Sequence, residues 1–160
     1  MKLNLLCVGK LKDDAERTIV ARYLERFGQI GPGLGLTCAG VTEIWESRAA
    51  SADARKAAEA AEIQKRLPVE ARLILLDEKG RALASEEFAH LLRRWQEEGV
   101  RNAVLVIGGP DGLDRGLANS AGLCLSLGRL TMPHGLARAV LAEQLYRAAT
   151  ILARHPYHRA

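Results

Sequence analysis

Residues 123–159 read LCLSLGRLTMPHGLARAVLAEQLYRAATILARHPYHR, and this stretch decides the fold. It opens as a short apolar strand, Leu123 to Leu127. A glycine-containing loop follows, ending in Met132-Pro133-His134-Gly135. The long helix after it has few polar positions, and the segment closes on a basic, histidine-rich tail. In the helix, Leu136, Val140, Leu141, Leu145, Tyr146, Ile151 and Leu152 spread over more than one face. A surface helix needs only one apolar stripe, so this one is expected to be covered on two sides, by the rest of the domain or by another subunit.

Working outward, the same strand–loop–helix grammar recurs. Ala103–Ile107 (AVLVI) is a continuous apolar run entering Gly108-Gly109-Pro110-Asp111-Gly112, and a short helix from Asp114 to Ala121 follows it. Arg72–Asp77 (RLILLD) is a second such strand, with a turn expected at Glu78-Lys79-Gly80. Leu3–Gly9 (LNLLCVG) is a third. Uninterrupted apolar runs of this length suit strands buried on both faces. Leu36–Glu46 reads as a weaker strand, and Gly28–Gly35, with four glycines and a proline, as a loop. Helices are expected from Asp13 or Asp14 to about Phe27, from Ser51 to Leu67, and from Ser85 to about Gly99. The first should turn Ile19, Tyr23, Leu24 and Phe27 inward, the third Phe88, Leu91, Leu92 and Trp95. Ser85 has no Glu or Gln three residues on, so it lacks a capping box. Strands alternating with helices across glycine-rich turns indicate one α/β domain, residues 1–160, with a mainly parallel sheet.

Composition bounds the function classes. The chain has 160 residues, 48% of them apolar and 26% charged, and a net charge of +4. That is a globular composition with a mild preference for polyanionic partners. No apolar run is long enough to span a membrane, and the N-terminus is charged too early for a signal peptide, so a cytoplasmic location is expected. Cys7, Cys38 and Cys124 are widely spaced and lack zinc-ligand spacing, so no metal site is expected and each reads as an inert thiol. Aromatic residues make up only 4%, and no sequence cluster resembles a base-stacking platform.

Ligands of parallel sheets bind beyond the carboxyl ends of the strands. Three ends carry unusual loops: Leu76-Asp77 with its glycine turn, Gly108–Gly112, and Leu127–Met132. None matches a phosphate-cradling signature, and Arg129 is the only basic residue within the second and third loops. A neutral-to-cationic nucleoside therefore suits them better than a triphosphate. His134 sits at the mouth of the third loop, although a lone histidine is more often structural. Glu143 and Arg147 have the i,i+4 spacing of an ordinary helix-stabilising pair. The HPYHR tail would ordinarily fray, yet it is dense in functional groups.

The motifs IGGPDGL (Ile107–Leu113), SLGRLTMPH (Ser126–His134), LARAVLAEQLYRA (Leu136–Ala148) and HPYHR (His155–Arg159), with the MKL start and the Tyr23-Leu24-x-Arg26-Phe27 block, together resemble the SPOUT-class RNA methyltransferases. The resemblance covers essentially the whole chain and is nearest to members that methylate N3 of a pseudouridine in large-subunit (23S) ribosomal RNA. It implies a homodimer with a C-terminal trefoil knot and S-adenosyl-L-methionine as methyl donor. It also implies a donor site lined by Leu76, Gly108, Leu127, Gly128, Arg129, Leu130, Thr131 and Met132. Attack by N3 requires loss of its proton, for which His134, His158 or Glu143 are candidates. Arg138 and Arg159 are candidates for stabilising the resulting anion. The alternative role for the tail is to clamp RNA phosphate. The small size implies a preassembled ribosomal surface as substrate. A non-enzymatic RNA-binding module would not need the Gly108-Gly109 and Leu127–Met132 loops together, and a small-molecule α/β enzyme would not need the basic tail.

Overall fold

A computed structural model describes residues 1–12 and 14–157. Five strands and five helices alternate: β1 (Lys2–Val8), α1 (Asp14–Ile30), β2 (Thr37–Ile44), α2 (Ala52–Gln64), β3 (Arg72–Ala82), α3 (Ser85–Glu97), β4 (Asn102–Ile107), α4 (Arg115–Asn119), β5 (Leu123–Ser126) and α5 (His134–Leu152). The strands form one sheet in the order β2-β1-β4-β3-β5, and every pairing is parallel. The α/β class expected from the alternation is what forms.

Side-chain alternation along the strands divides the core in two. Leu3, Leu5, Cys7, Ile74, Leu105 and Ile107 face one way, onto α1, α3 and α5. Leu6, Val8, Leu73, Leu75, Val104 and Val106 face the other way, onto Ile63 of α2 and Leu117 of α4. This two-sided burial is why β1 and β4 read as unbroken apolar runs rather than alternating ones. Cys7 lies in the first core, where burial pushes its thiol up to about 11; burial likewise raises Cys38. All three cysteines are free.

Several local readings are corrected. In α1, Val20 is buried and Ile19 exposed, so the inward stripe is Val20, Tyr23, Leu24 and Phe27. The expected Gly28–Gly35 loop is mostly helical: α1 runs on to Ile30 and a 3-10 turn spans Gly31–Leu34, ended by Gly35 at φ +71°. Gly31 packs so closely on Phe27 and the Leu36 carbonyl that a Cβ would stand 2.8 Å and 2.7 Å from them, so tertiary contact overrides its low helix propensity. Ala84, not Ser85, precedes the first turn of α3, and its N–H donates to Glu87 Oε2 at 2.7 Å. Half a capping box is thus present, shifted by one residue. The turn expected at Glu78–Gly80 lies inside β3 as a wide bulge: Leu76 and Arg81 both register against Leu125, and the four residues between them loop out.

The apolar α5 packs against α1 and α3 on the sheet face. Leu136 is its only exposed residue. Elements of the same chain cover most of the helix, and Val140, Ile151 and Leu152 are left half-buried. Leu141→Lys would place an unpaired ammonium in the core, because Leu141 has no exposed surface. That costs several kcal/mol (about 3–5). The variant should lose its cooperative thermal transition in circular dichroism rather than yield a folded monomer.

Candidate functional site

Because all five strands are parallel, their carboxyl ends share one edge, and three of them open onto a single cavity of about 800 Å³. Its wall comes from Leu76–Lys79 after the first half of β3, Ile107–Leu113 after β4, and Leu125 to Ala137 around the β5–α5 loop. Each wall segment has a local cause. The four-residue bulge in β3 turns Asp77, Glu78 and Lys79 to the cavity instead of continuing the ladder, and Asp77 Oδ1 accepts the Lys79 N–H at 2.8 Å. After β4, Pro110 sits in a tight turn closed by the Gly112 N–H to the Gly109 carbonyl at 2.9 Å, with Gly112 at φ +84°. The buried Ser126 hydroxyl accepts the Gly128 N–H at 3.2 Å and lies 3.2 Å from the Glu78 carbonyl, joining the first and third loops.

The middle loop is also held from outside. Arg55 of α2 grips Asp111 with two hydrogen bonds, 2.6 Å from Nε and 2.9 Å from an NH2 nitrogen. This pairing lowers the Asp111 carboxyl below its ordinary range. The nearly buried Glu59 lies against Gly109, where a Cβ would stand 2.9 Å from its carboxylate. No motif marks Arg55 or Glu59 in the sequence, since they sit on an alanine-rich helix some fifty residues before the loop they brace. Gly108 is needed for a different reason than open access to a ligand: a Cβ there would meet the Leu113 side chain at 2.8 Å and the Gly112 backbone at 3.1 Å.

Of the residues singled out in the sequence, Leu76, Gly108, Leu127, Gly128, Leu130, Thr131, Met132 and His134 stand together on this cavity. Arg129 is not in its wall among the described residues. His134 is the first residue of α5, half-buried, after Pro133. Arg138 is placed elsewhere, which corrects its reading as an anion-stabilising group. It is 1% exposed, pairs with Glu43 at 2.5 Å, and donates to the Val8 and Gly9 carbonyls at 3.2 Å and 2.5 Å. Such a guanidinium ties α5 to the end of β1 and does not face the cavity. Glu143 stands nine residues beyond His134, about 13 Å along the helix. It accepts from Arg147 Nε at 2.9 Å and from the Tyr157 hydroxyl at 3.1 Å. Burial, a hydrogen bond with Tyr23 and the Glu143 charge all raise Tyr157 above the usual phenol range, keeping it a donor. The tail is therefore docked as far as Tyr157, whose ring lies 4.6 Å from that of Tyr146. His158 and Arg159 lie outside the described residues. No three His, Cys, Asp or Glu side chains are grouped to hold a metal among the described residues.

A strand-end cavity assembled from glycine-containing loops at the carboxyl edge of an all-parallel sheet is the ligand-site arrangement of α/β proteins. A family model described as "Predicted SPOUT methyltransferase" matches residues 1–158, and the chain belongs to that family. Ribosomal RNA large subunit methyltransferase H of Brucella anthropi is 53% identical over 160 residues, covering 100% of both chains. The protein of that name from Sinorhizobium fredii is 52% identical over 160 residues, with the same coverage. A solved "probable methylase family protein" from Haemophilus influenzae Rd KW20 shares the fold at a TM-score of 0.55 and 11% identity, over 99% of this chain and 70% of its own.

The Arg138–Glu43 pair carries a pH signature. Burial alone would raise the Glu43 carboxyl, but the Leu11 N–H and Arg138 outweigh it and hold the group below its ordinary 4.5. Its contribution is thus complete above that value and is lost as pH falls through the depressed folded value. Glu43→Gln leaves Arg138 buried without its counter-charge and should cost about 2–4 kcal/mol near neutrality. Urea titrations at several pH values should show this difference shrinking below pH 4.5.

Proposed function

We propose that the chain is an S-adenosyl-L-methionine-dependent methyltransferase acting on N3 of a pseudouridine in large-subunit ribosomal RNA. The observation that carries this reading is the single cavity shared by the three strand-end loops in a chain of the SPOUT family. The names of its full-length relatives support ribosomal RNA as the substrate class. We further propose a cytoplasmic homodimer with the trefoil-knotted C-terminal end of its family, working on a ribosomal particle. No helix among the described residues is long and apolar enough to cross a membrane.

The cavity fits the methyl donor by its chemistry. Its size lies within the range of small-molecule sites. Leu76, Ile107, Leu125 and Leu127 offer an apolar wall for an adenine ring, and the neighbouring main chain offers hydrogen-bonding groups. Asp77 and Glu78 in the wall favour a cation and outnumber Lys79, the one lysine or arginine among the described lining residues. When bound, S-adenosyl-L-methionine supplies a methyl group on a cationic sulfonium. The chain's own residues do the rest by positioning and charge. His134 stands at the cavity edge, where its imidazole can accept the N3 proton. The first turn of α5, which begins at His134, brings the positive end of the helix dipole to the cavity edge, next to the Glu16 carboxylate at Gly135, and favours the negative charge that then spreads over the flanking carbonyl oxygens. His158 and Arg159 are proposed to complete the RNA side of the site. Arg147, paired with Glu143, lies over the Tyr157 ring and helps to hold it.

Ribosomal particles and naked ribosomal RNA incubated with methyl-labelled donor, then digested to nucleosides, test the reading. Label in N3-methylpseudouridine is expected, and label in another nucleoside, or none, would overturn it. Removing residues 158–160 should leave thermal stability within about 1 kcal/mol. Transfer should fall about 10²-fold or more. A near-normal single-turnover rate would take the tail out of the reaction and leave His134.

A further inference from the structure

The sequence holds no visible cluster of aromatics, yet folding builds one two-residue platform. Trp45 directly follows β2 and is 74% exposed, the only aromatic among the exposed large apolar side chains. Lys10, just beyond β1, places its ammonium 4.0 Å from the centre of the indole ring. One face of the ring is thus held by a cation, and most of the side chain is open to solvent. Trp45 belongs to no core cluster, so the fold does not account for an indole at this position.

The sheet puts this platform beside the cavity. β1 and β2 are parallel to β4, so their carboxyl ends lie on the same edge as the β4 loop. Two strand spacings separate β2 from β4, about 10 Å. The loop carrying Trp45 is also braced against the cavity rim. The Ser47 N–H donates to Glu59 at 2.9 Å, and Arg55 donates to the Ala49 carbonyl at 3.1 Å while gripping Asp111. Glu59 and Arg55 therefore hold the Trp45 loop and the Gly108–Leu113 loop together. Exposed Lys12 and Arg48 add positive charge on the same two segments, so that with Lys10 three cations there outnumber the exposed Glu46 beside Gly9.

We propose that Trp45, with Lys10 behind it, is a stacking platform for an unpaired base of the RNA substrate near the target nucleotide at the cavity edge. This rests on the reading of the chain as an RNA methyltransferase. An indole offers a π-face to any base, and the cation on its far side complements the nearby phosphates. Exposed tryptophans also anchor protein partners, but the lysine on the ring, the cationic neighbours and the edge shared with the cavity favour a polyanion.

The test compares Trp45→Ala, Trp45→Phe and the wild type. All three should unfold at the same temperature, because the side chain is exposed. Trp45→Ala should raise KM for ribosomal RNA about tenfold. Its kcat at saturating RNA and its donor affinity should stay unchanged, and Trp45→Phe should restore most of the KM. Independently of activity, single-stranded oligoadenylate should quench tryptophan emission in the wild type and not in Trp45→Phe, since the remaining Trp95 is buried. An unchanged KM in Trp45→Ala, or no quenching in the wild type, overturns the platform. So does a loss of binding to ribosomal particles with none to deproteinised RNA, which would assign Trp45 to a protein contact. A wild type that quenches with oligoadenylate but methylates no RNA would leave the platform standing and remove the methyltransferase reading instead.

Discussion

The structure depends on one buried guanidinium. Arg138, on the last helix, reaches the carbonyls that end the first strand and the carboxylate of Glu43 on the second. Burying a charge this deeply is tolerable because both terminal nitrogens have a carboxylate or carbonyl partner, while Nε has none. The contact closes the chain on itself across 95 residues to Glu43 and 130 to Val8. It fixes the first turn of α5, and with it His134 and the third cavity loop, against the carboxyl edge of the sheet. Breaking it would disturb the site without touching the cavity wall.

The second constraint is the uniform direction of the strands. A parallel sheet collects all its carboxyl ends on one edge, so loops distant in sequence become neighbours without further design. Here that edge carries the bulge of β3, the proline turn after β4, the β5–α5 loop, and the Lys10–Trp45 pair. Side chains of α2 and the Ser126 hydroxyl tie these pieces to one another, so the cavity is held by cross-links between loops rather than by any one rigid loop. A methyl donor and a polyanionic acceptor would then meet on a shaped surface, and positioning supplies most of what the reaction needs.

What the sequence reveals follows from which forces are local. Leu3–Gly9 and Ala103–Ile107 are legible as buried strands because burial on both faces writes itself into consecutive residues. The cavity loops are legible because glycine and proline mark strand ends. The Gly28–Gly35 segment is misread because close packing of Gly31 on Phe27 is a tertiary contact invisible to composition. The inward stripe of α1 is off by one at Ile19, since two adjacent apolar residues leave the helical phase open. Arg138 passes for a functional cation because its partners lie on β1 and β2, far away in sequence. Trp45 escapes notice for the same reason, with its lysine 35 residues before it.

If the three strand-end loops form one binding site for the methyl donor, amide hydrogen exchange will register it when S-adenosyl-L-methionine is added. Donor-dependent protection is expected in the segments 76–80, 107–113 and 127–137 together, with little change in 41–50, where Trp45 is proposed to meet RNA and not the donor. Protection confined to another edge of the sheet, or to only one of the three loops, would contradict it.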